Sequence, residues 1–109
     1  MAQVAVYTNL ELPGILDFIK NCVADSTGRQ EPTVFVSLNR LQSFKFGTSK
    51  EGIFIKVNFV GAADVYRTQK TLQYLCQKLV YKYNILGELI YINFIETNRN
   101  QVYIDGEQM

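Results

Sequence analysis

Two polar side chains stand two residues apart in the strongly apolar segment LIYINF. Because side chains alternate between the two faces of a β-strand, Tyr91 and Asn93 share one face, and Ile90, Ile92 and Phe94 share the other. A phenol and an amide both donate and accept hydrogen bonds, so this pair could orient a polar ligand. The alternative is a hydrogen-bonded pair at a protein interface with no ligand, since buried polar groups generally find partners.

The inventory of reactive side chains excludes several kinds of enzyme. Histidine is absent from the 109 residues, so Ser-His-Asp and Cys-His pairs and the common histidine-containing zinc sites cannot form within one chain. Cys22 and Cys76 are too far apart for a metal clip and too few for a disulfide scaffold. Both fall on the apolar stripes of predicted helices, which predicts small buried hydrophobic side chains. We expect no metal and no cofactor, and any catalysis must use another base.

The composition limits the class of protein and of partner. With 48% apolar residues, 19% charged residues and a net charge of +1, residues 1–109 are typical of one soluble globular domain. Nucleic-acid binding draws most of its affinity from neutralising phosphates, so this chain is not expected to bind nucleic acid. No stretch has the roughly 20 apolar residues that span a bilayer, so no membrane interaction is expected. The N-terminus lacks the layout of a signal peptide, which predicts a cytosolic location or export without a leader.

Hydrophobic periodicity places the chain in two strand–helix–strand units. The first unit starts with a β-rich run from Val4 to Asn9. An amphipathic helix follows, in which Pro13 suits the first turn and Gly28 the C-terminal stop. A β-branched strand over Thr33 to Leu38 completes this unit.

The second unit starts with IFIKVNFVG, in which every second residue is apolar, as in a half-buried strand. A helix is predicted from about Asp64 to Tyr83, and ELIYINF is the closing strand. The segment QVYI is expected to form a small terminal strand.

Two such units predict an α+β fold, with a four-stranded sheet and both helices on one face. The other face would carry Leu89 and Tyr91 beside Asn93, and a monomer would expose these apolar groups. We therefore predict that the helix-free faces meet across a symmetric oligomer. Tyr91 and Asn93 would then lie at a subunit boundary or in a pocket beside it.

Four short motifs, in this order and at this spacing, resemble a known family over nearly the whole chain. They are Thr27-Gly28-Arg29, Phe46-Gly47-Thr48-Ser49, Val60-Gly61 and Ile90-Tyr91-Ile92-Asn93-Phe94. Together they resemble macrophage migration inhibitory factor (MIF) and its relatives in the tautomerase superfamily. The resemblance implies two βαβ units related by a pseudo-twofold, with a mixed sheet, assembled into a homotrimer whose sheets wrap into a central barrel.

The resemblance also implies active sites at subunit interfaces. There an N-terminal proline acts as general base in keto–enol tautomerisation of compounds such as phenylpyruvate and dopachrome. By position, Arg29 would hold the substrate carboxylate and the backbone N–H of Val60 would contact substrate. The alternative for Arg29 is a solvated cation that is favourable at a helix C-terminus.

Four further positions complete the implied site. Tyr91 and Asn93 would enter the pocket from a neighbouring subunit. Val102 and Ile104 would lie near its apolar rim. The implied ligand is a small aromatic keto acid in the interface pocket.

Ala2 stands where the family has its catalytic proline. With Met1 in place, position 2 is an amide nitrogen and not a base. If Met1 is removed, the amine of Ala2 has a reference pKa of about 7.7–8.0, which would permit weak proton transfer or imine formation with a keto acid. Because general-base catalysis is typically worth about 10² to 10⁴-fold, we expect a binding pocket with reduced or lost tautomerase activity.

Other departures from the family bear on function. The Cys-x-x-Cys of some members is Ile53-Phe54-Ile55-Lys56 here, so no thiol–disulfide activity is expected. Gln30 replaces the proline after the Thr-Gly-basic motif, and the chain ends without the usual aromatic residue.

These observations lead to two candidate functions and one further alternative. The first is a MIF-like homotrimer, cytokine-like in acting on a receptor or protein partner. The second is a keto–enol tautomerase that uses the N-terminal amine. The further alternative is an assembly module that has a similar fold but does not belong to the MIF family.

Overall fold

The computed structural model describes residues 1–28, 33–104 and 107–108, with side chains up to residue 102. Both predicted strand–helix–strand units are present. Two short 3₁₀ turns, Gly87–Leu89 and Arg99–Gln101, flank the last long strand. The main elements in chain order are β1 (Ala2–Thr8), α1 (Ile15–Thr27), β2 (Val34–Arg40), β3 (Ile53–Val60), α2 (Val65–Tyr83), β4 (Ile90–Thr97), β5 (Tyr103–Ile104) and β6 (Glu107–Gln108).

The four long strands form one mixed sheet in the order β2-β1-β3-β4. In each unit the helix connects two parallel strands, β1 to β2 and β3 to β4. The central pair, β1 and β3, is antiparallel, which relates the two units by a pseudo-twofold. The predicted α+β architecture is therefore confirmed.

The core lies between the two helices and one face of the sheet. Every second residue of β3 is fully buried, as its alternation predicts: Ile53, Ile55, Val57 and Phe59 are 0% exposed. Removing one such side chain from water stabilises the fold by about 1.5–3 kcal/mol. The helices contribute their apolar stripes to the same cluster, with Ile19 and Val23 from α1 and Leu75 and Leu79 from α2.

The first helix begins later than its sequence predicts. Gly14 precedes α1 with φ 72°, in the left-handed region that favours glycine, so the right-handed helix begins at Ile15. The prediction that Pro13 lies in the first turn is therefore wrong. Its carbonyl instead accepts a 2.7 Å hydrogen bond from the Tyr83 hydroxyl. Gly28 ends α1 as predicted, with φ 74° and its N–H donated to the Ala24 carbonyl.

The second helix has a polar cap at each end. The carboxylate of Asp64 accepts a 2.6 Å hydrogen bond from the Arg67 N–H, which satisfies one of the unpaired donors of the first turn. Asn84 ends the helix in the left-handed conformation, with φ 56°. None of the helices in the described ranges is long and apolar enough to cross a membrane.

Leu89 differs from its prediction. It ends the 3₁₀ turn before β4, and its side chain packs against the core. The period-2 alternation of β4 starts only at Ile90, so Leu89 does not share a face with Tyr91 and Asn93.

Candidate functional site

The sheet has one face covered by helices and one that is not. The uncovered side, which we call the helix-free face, presents the strand residues that alternate with the buried ones. It carries one charged side chain, Lys56, among the described residues. Its residues are Gln3, Ala5 and Tyr7 from β1, Phe35, Ser37 and Asn39 from β2, Phe54, Lys56, Asn58 and Val60 from β3, and Tyr91, Asn93, Ile95 and Thr97 from β4.

A cavity of about 440 Å³ lies at one end of this face, where β1 begins and β3 and β4 end. We call it the N-terminal cavity. Two of the predicted site residues, Val60 and Val102, line it. The complete lining is Met1, Gln3, Phe35, Asn58, Val60, Thr97, Gln101 and Val102.

Met1 is held at the wall of this cavity. Its carbonyl accepts a 2.9 Å hydrogen bond from the Val60 N–H, the donor predicted to contact substrate. Ala2 follows directly, is 0% exposed, and pairs with Val34 on one side and Phe59 on the other. With Met1 in place, the nitrogen of Ala2 is a peptide nitrogen inside a strand and cannot act as a base.

The polar side chains of the cavity carry amides and one hydroxyl. Gln3 and Asn58 are direct partners across β1 and β3, and Thr97 at the end of β4 and Gln101 in the following 3₁₀ turn also line the cavity. No described lining residue has an ionisable side chain. These groups can hydrogen-bond a carbonyl or a carboxylate, but none of them can take a proton from carbon at neutral pH.

Aromatic side chains gather at the opposite end of the helix-free face. Tyr91 stacks on Phe54 with ring centroids 5.0 Å apart, and Tyr7 meets Phe54 edge-on at 5.7 Å. The ring of Phe46 lies 5.9 Å from that of Tyr91. We call these four residues the aromatic cluster. Tyr91 remains 44% exposed, so the cluster is open to contact from outside the chain.

Phe46 reaches the cluster from a tight turn. Its N–H and carbonyl each form a 2.9 Å hydrogen bond with Ser49, and Gly47 between them has φ 60°. That backbone favours glycine, so Gly47 serves the geometry of the turn and Phe46 packs on the cluster.

Asn93 lies two residues further along β4 than Tyr91. It pairs with Lys56 on β3, towards the middle of the helix-free face. The two residues quoted from LIYINF therefore do share the face without helices, as the alternation predicts.

One chain does not bring the predicted site residues together. Tyr91 pairs with Phe54 and Thr97 pairs with Val60, so six residues of strand separate the aromatic cluster from the N-terminal cavity. At about 3.3 Å per residue this is a distance of roughly 20 Å, longer than a small aromatic acid. Tyr91 can join Val60 and Val102 around one small ligand only if it comes from another copy, whereas Asn93 lies four residues of strand, about 13 Å, from the level of Val60.

Two predicted site residues cannot be placed in this geometry. Arg29 lies outside the described residues. For Ile104 the structure describes the backbone, which pairs with Glu107 in the two-stranded β5–β6 ribbon. Their binding roles stay predictions, as do those of Val60, Tyr91, Asn93 and Val102.

The sequence did not mark the amides of the cavity as site residues. Asn58 shares the alternation of β3 with Val60, and Gln3 stands beside Ala2, so the strand pattern contained the signal for both. Gln101 comes from a 3₁₀ turn. No local sequence pattern predicts that this turn approaches β3.

The cysteines lie away from this site, in the helix layer. Cys22 is buried, and burial raises the pKa of its thiol to about 11, with Lys78 lowering it and Asp25 raising it by smaller effects. Cys76 is half-buried. The described residues contain no cluster of three or more His, Cys, Asp or Glu that could hold a metal ion.

No protein-family model and no curated protein matches the sequence. Solved structures do match, over almost the whole chain. Macrophage migration inhibitory factor from Trichinella spiralis is 21% identical and superposes with a TM-score of 0.86, covering 98% of this chain and 99% of its own. The chain has the MIF fold.

Two more solved structures show how widely this fold is shared. Macrophage migration inhibitory factor from Toxoplasma gondii is 18% identical with a TM-score of 0.82, covering 98% of this chain and 99% of its own. Pt0534, solved after inactivation by 2-oxo-3-pentynoate, is 14% identical with a TM-score of 0.86, covering 97% of this chain and 94% of its own. The expected resemblance to MIF and the tautomerase superfamily is confirmed at the level of the fold.

Proposed function

We propose that this chain is a MIF-like homotrimer that binds ligands or protein partners at the crevices between its copies and has reduced or no tautomerase activity. In this role it is cytokine-like, acting on a receptor or another protein partner, from the cytosol or after export without a signal peptide. The observation that carries the proposal is the roughly 20 Å between Tyr91 and Val60, two residues of the predicted site, on one chain.

The helix-free face supports an assembly. Its aromatic groups are open, with Phe35 46% and Tyr91 44% exposed. The sheet also ends in β2 and β4, each of which has one edge without a partner strand in this four-stranded sheet. A barrel made from the sheets of several copies covers such a face and such edges together.

The crevice between copies would hold a small ligand. A volume of about 440 Å³ on one chain suits a small molecule. The amides of Gln3 and Asn58 offer hydrogen bonds to a keto acid, while Phe35 and Val102 offer apolar walls to an aromatic ring. Tyr91 and Asn93 of a neighbouring copy would close the pocket. Inactivation of the fold neighbour Pt0534 by a 2-oxo acid supports this ligand class.

Weak turnover follows from the N-terminus. With Met1 in place, position 2 is an amide, and the Val60 N–H is donated to the Met1 carbonyl. The described lining of the cavity supplies no ionisable side chain that could replace the missing base. Binding without efficient proton transfer is the expected outcome.

The alternative function is keto–enol tautomerisation by the N-terminal amine. One observation favours it: Met1 lines the cavity and is bonded directly to Ala2. Removal of Met1 would therefore leave a primary amine at the cavity wall. This amine would be a weaker catalyst than a positioned proline, but it would be a base.

The test compares the wild-type chain with Ala2→Pro, both tag-free, with the N-terminal residue identified by intact mass. We expect wild-type turnover of phenylpyruvate to be roughly 10² to 10⁴-fold below that of the proline variant after Met1 removal, because a positioned base contributes about that much. Equal and rapid turnover by both proteins would contradict the proposal and establish the tautomerase.

A binding measurement accompanies the kinetics. Wild-type protein should bind phenylpyruvate, and Asn93→Ala should weaken binding about tenfold, because one hydrogen bond to a charged group is lost. Gln77→Ala, on the exposed side of α2, is the matched control and should bind like wild type. Unchanged binding by the Asn93 variant would remove this residue from the site.

A further inference from the structure

We propose that the outer side of α2 binds a short acidic segment of a protein partner. This surface goes beyond the proposed function, because α2 packs on the opposite side of the sheet from the helix-free face. It stays exposed when further copies cover that face. We call it the cationic helix face, and its residues are Tyr66, Lys70, Gln73, Gln77, Lys78 and Tyr81.

The charge of the chain is divided unevenly between α2 and the rest. Four of the 11 basic residues and none of the 10 acidic residues lie in α2, so the helix has a net charge of +4 and the rest of the chain −3. Lys70 and Lys78 are exposed on the cationic helix face, and the exposed Lys82 follows at the end of the helix. In the described part of the chain none of these three ammonium groups forms a salt bridge. The helix therefore presents positive charge that the chain itself does not neutralise.

The sequence of α2 differs from that of an ordinary solvated helix. Exposed helices generally gain stability from Glu–Lys pairs three or four residues apart, and α2 has no acidic residue to form one. Like charges stand at this spacing instead: Arg67 precedes Lys70 by three residues, and Lys78 precedes Lys82 by four. Such pairs destabilise a helix. Carboxylates from another molecule would relieve this repulsion, which is the reason to expect an acidic partner.

Two tyrosines flank the lysines of the cationic helix face. Tyr66 is 73% exposed and Tyr81 is 90% exposed, so both rings are open to a partner. At 1.5 Å per residue, the 15 residues from one to the other span about 22 Å, the length of roughly seven residues of extended peptide. Between them the Lys78 ammonium lies 5.3 Å from the ring centroid of Tyr74. This contact restrains the side chain, so less entropy is lost when it binds a carboxylate.

The composition of the face favours an acidic peptide over a membrane or a nucleic acid. Gln73 and Gln77 occupy its centre, where a helix that lies in a bilayer surface has Leu, Phe or Trp. A long polyanion such as a nucleic acid would also meet the charge of −3 on the rest of the chain. Lysine ammonium groups pair with Asp and Glu, and glutamine amides and tyrosine hydroxyls hydrogen-bond peptide groups. A short acidic segment can use all of these groups.

The experiment measures binding of fluorescein-labelled octaglutamate to the full chain by fluorescence anisotropy at low salt. The double variant Lys70→Glu/Lys78→Glu should weaken binding by about tenfold or more, because two attractive charge pairs become repulsive. Lys45→Glu/Lys50→Glu is the matched control. It makes the same change of net charge at exposed positions between β2 and β3, and it should weaken binding by less than about threefold, since only the overall charge of the chain changes.

Two further measurements separate a specific face from general attraction between charges. Tyr81→Ala changes no charge and should weaken binding about threefold, because an exposed aromatic contact is lost. In the unmodified chain, octaglutamate should shift the backbone amide signals of α2 in a nitrogen–proton correlation spectrum. This second readout does not depend on how any variant folds.

Several results would overturn the inference. These are no octaglutamate binding below millimolar concentration, equal weakening by the two double variants, or signal shifts outside α2. Tighter binding to phosphatidylserine vesicles or to oligothymidylate than to octaglutamate would assign the face to a membrane or a nucleic acid instead.

The outcome is independent of the assembly. A single chain that binds octaglutamate through α2 would leave this inference standing and make the proposed homotrimer wrong. A homotrimer that binds phenylpyruvate but not octaglutamate would do the reverse.

Discussion

The two faces of one sheet are built from the same strands and yet have opposite chemistry. On the helix-covered face, Val4, Ile55 and Val57 are 0% exposed and purely apolar. Their direct neighbours in sequence point the other way and form a surface of amides, aromatic rings and one lysine. Half of each strand therefore specifies the fold, while the other half is available to partners and ligands.

The largest expected effect is a loss of stability from a substitution on the helix-covered face. Ile55→Ala should lower the free energy of unfolding by about 2–5 kcal/mol, because a central side chain is lost and a cavity remains. Urea denaturation at one fixed protein concentration measures it. Asn21→Ala, exposed on α1, is the control and should stay within about 0.5 kcal/mol of wild type. A loss below about 1 kcal/mol for Ile55→Ala would show that β3 is not packed as described.

The next largest effect is on the association of copies and comes from a substitution on the helix-free face. Tyr91→Asp should weaken the association of copies by about 2 kcal/mol or more, roughly 30-fold, because it puts a charge in place of an aromatic interface group. The fold of each chain should survive. Tyr81→Asp makes the same change at a 90% exposed position on α2 and should leave association unchanged. Sedimentation of both variants decides the matter, and equal behaviour would remove Tyr91 from the interface.

The helix-covered face was predictable from the sequence for a physical reason. Its period-2 and helical patterns are local, so the alternation of Ile53 to Phe59 predicts the strand and its buried side together. Pro13 and Leu89 were misplaced because a left-handed glycine and a 3₁₀ turn shift the start of an element by a few residues.

The site was less predictable than the fold. Only Tyr91 and Asn93 were candidates from the strand alternation, the other candidate residues came from resemblance to a family, and the amides Gln3, Asn58 and Gln101 were not among them. The distance between Tyr91 and Val60 depends on the parallel register of β3 with β4, which no local pattern encodes.

A third prediction concerns the pH dependence of the stability and a buried thiol in the helix layer. Burial raises the pKa of the Cys22 thiol from 9.0 to about 11, so folding favours the protonated thiol. The stabilisation that comes from this preference for the protonated thiol is complete below pH 9 and is lost as the pH rises towards 11. The loss should be on the order of 2 kcal/mol, measured by urea denaturation at several pH values.

Cys22→Ala is the control for this pH effect. The variant should be less sensitive to pH between 9 and 11, although Tyr83, whose pKa is also raised by burial and by Cys22, keeps part of the dependence. An identical alkaline loss in wild type and variant would contradict the assignment to Cys22.

The smallest expected effect comes from replacing a buried polar group in the core. Thr71 is 0% exposed, and its hydroxyl oxygen has no hydrogen-bond partner in the described part of the chain. Thr71→Val keeps the shape of the side chain and removes the buried polar group, so it should stabilise the fold by about 1 kcal/mol. Thermal unfolding measures the gain. Destabilisation of similar size would reveal a partner for the hydroxyl in the folded protein.

The central claim is that the helix-free face is covered by further copies of this chain and that ligands bind in the crevices between them. Static light scattering of the tag-free protein at micromolar concentration tests it most directly. The claim predicts a mass three times that of one chain, unchanged on further dilution. A well-folded protein with the mass of a single chain would contradict it, because Tyr91 and Asn93 would then face water.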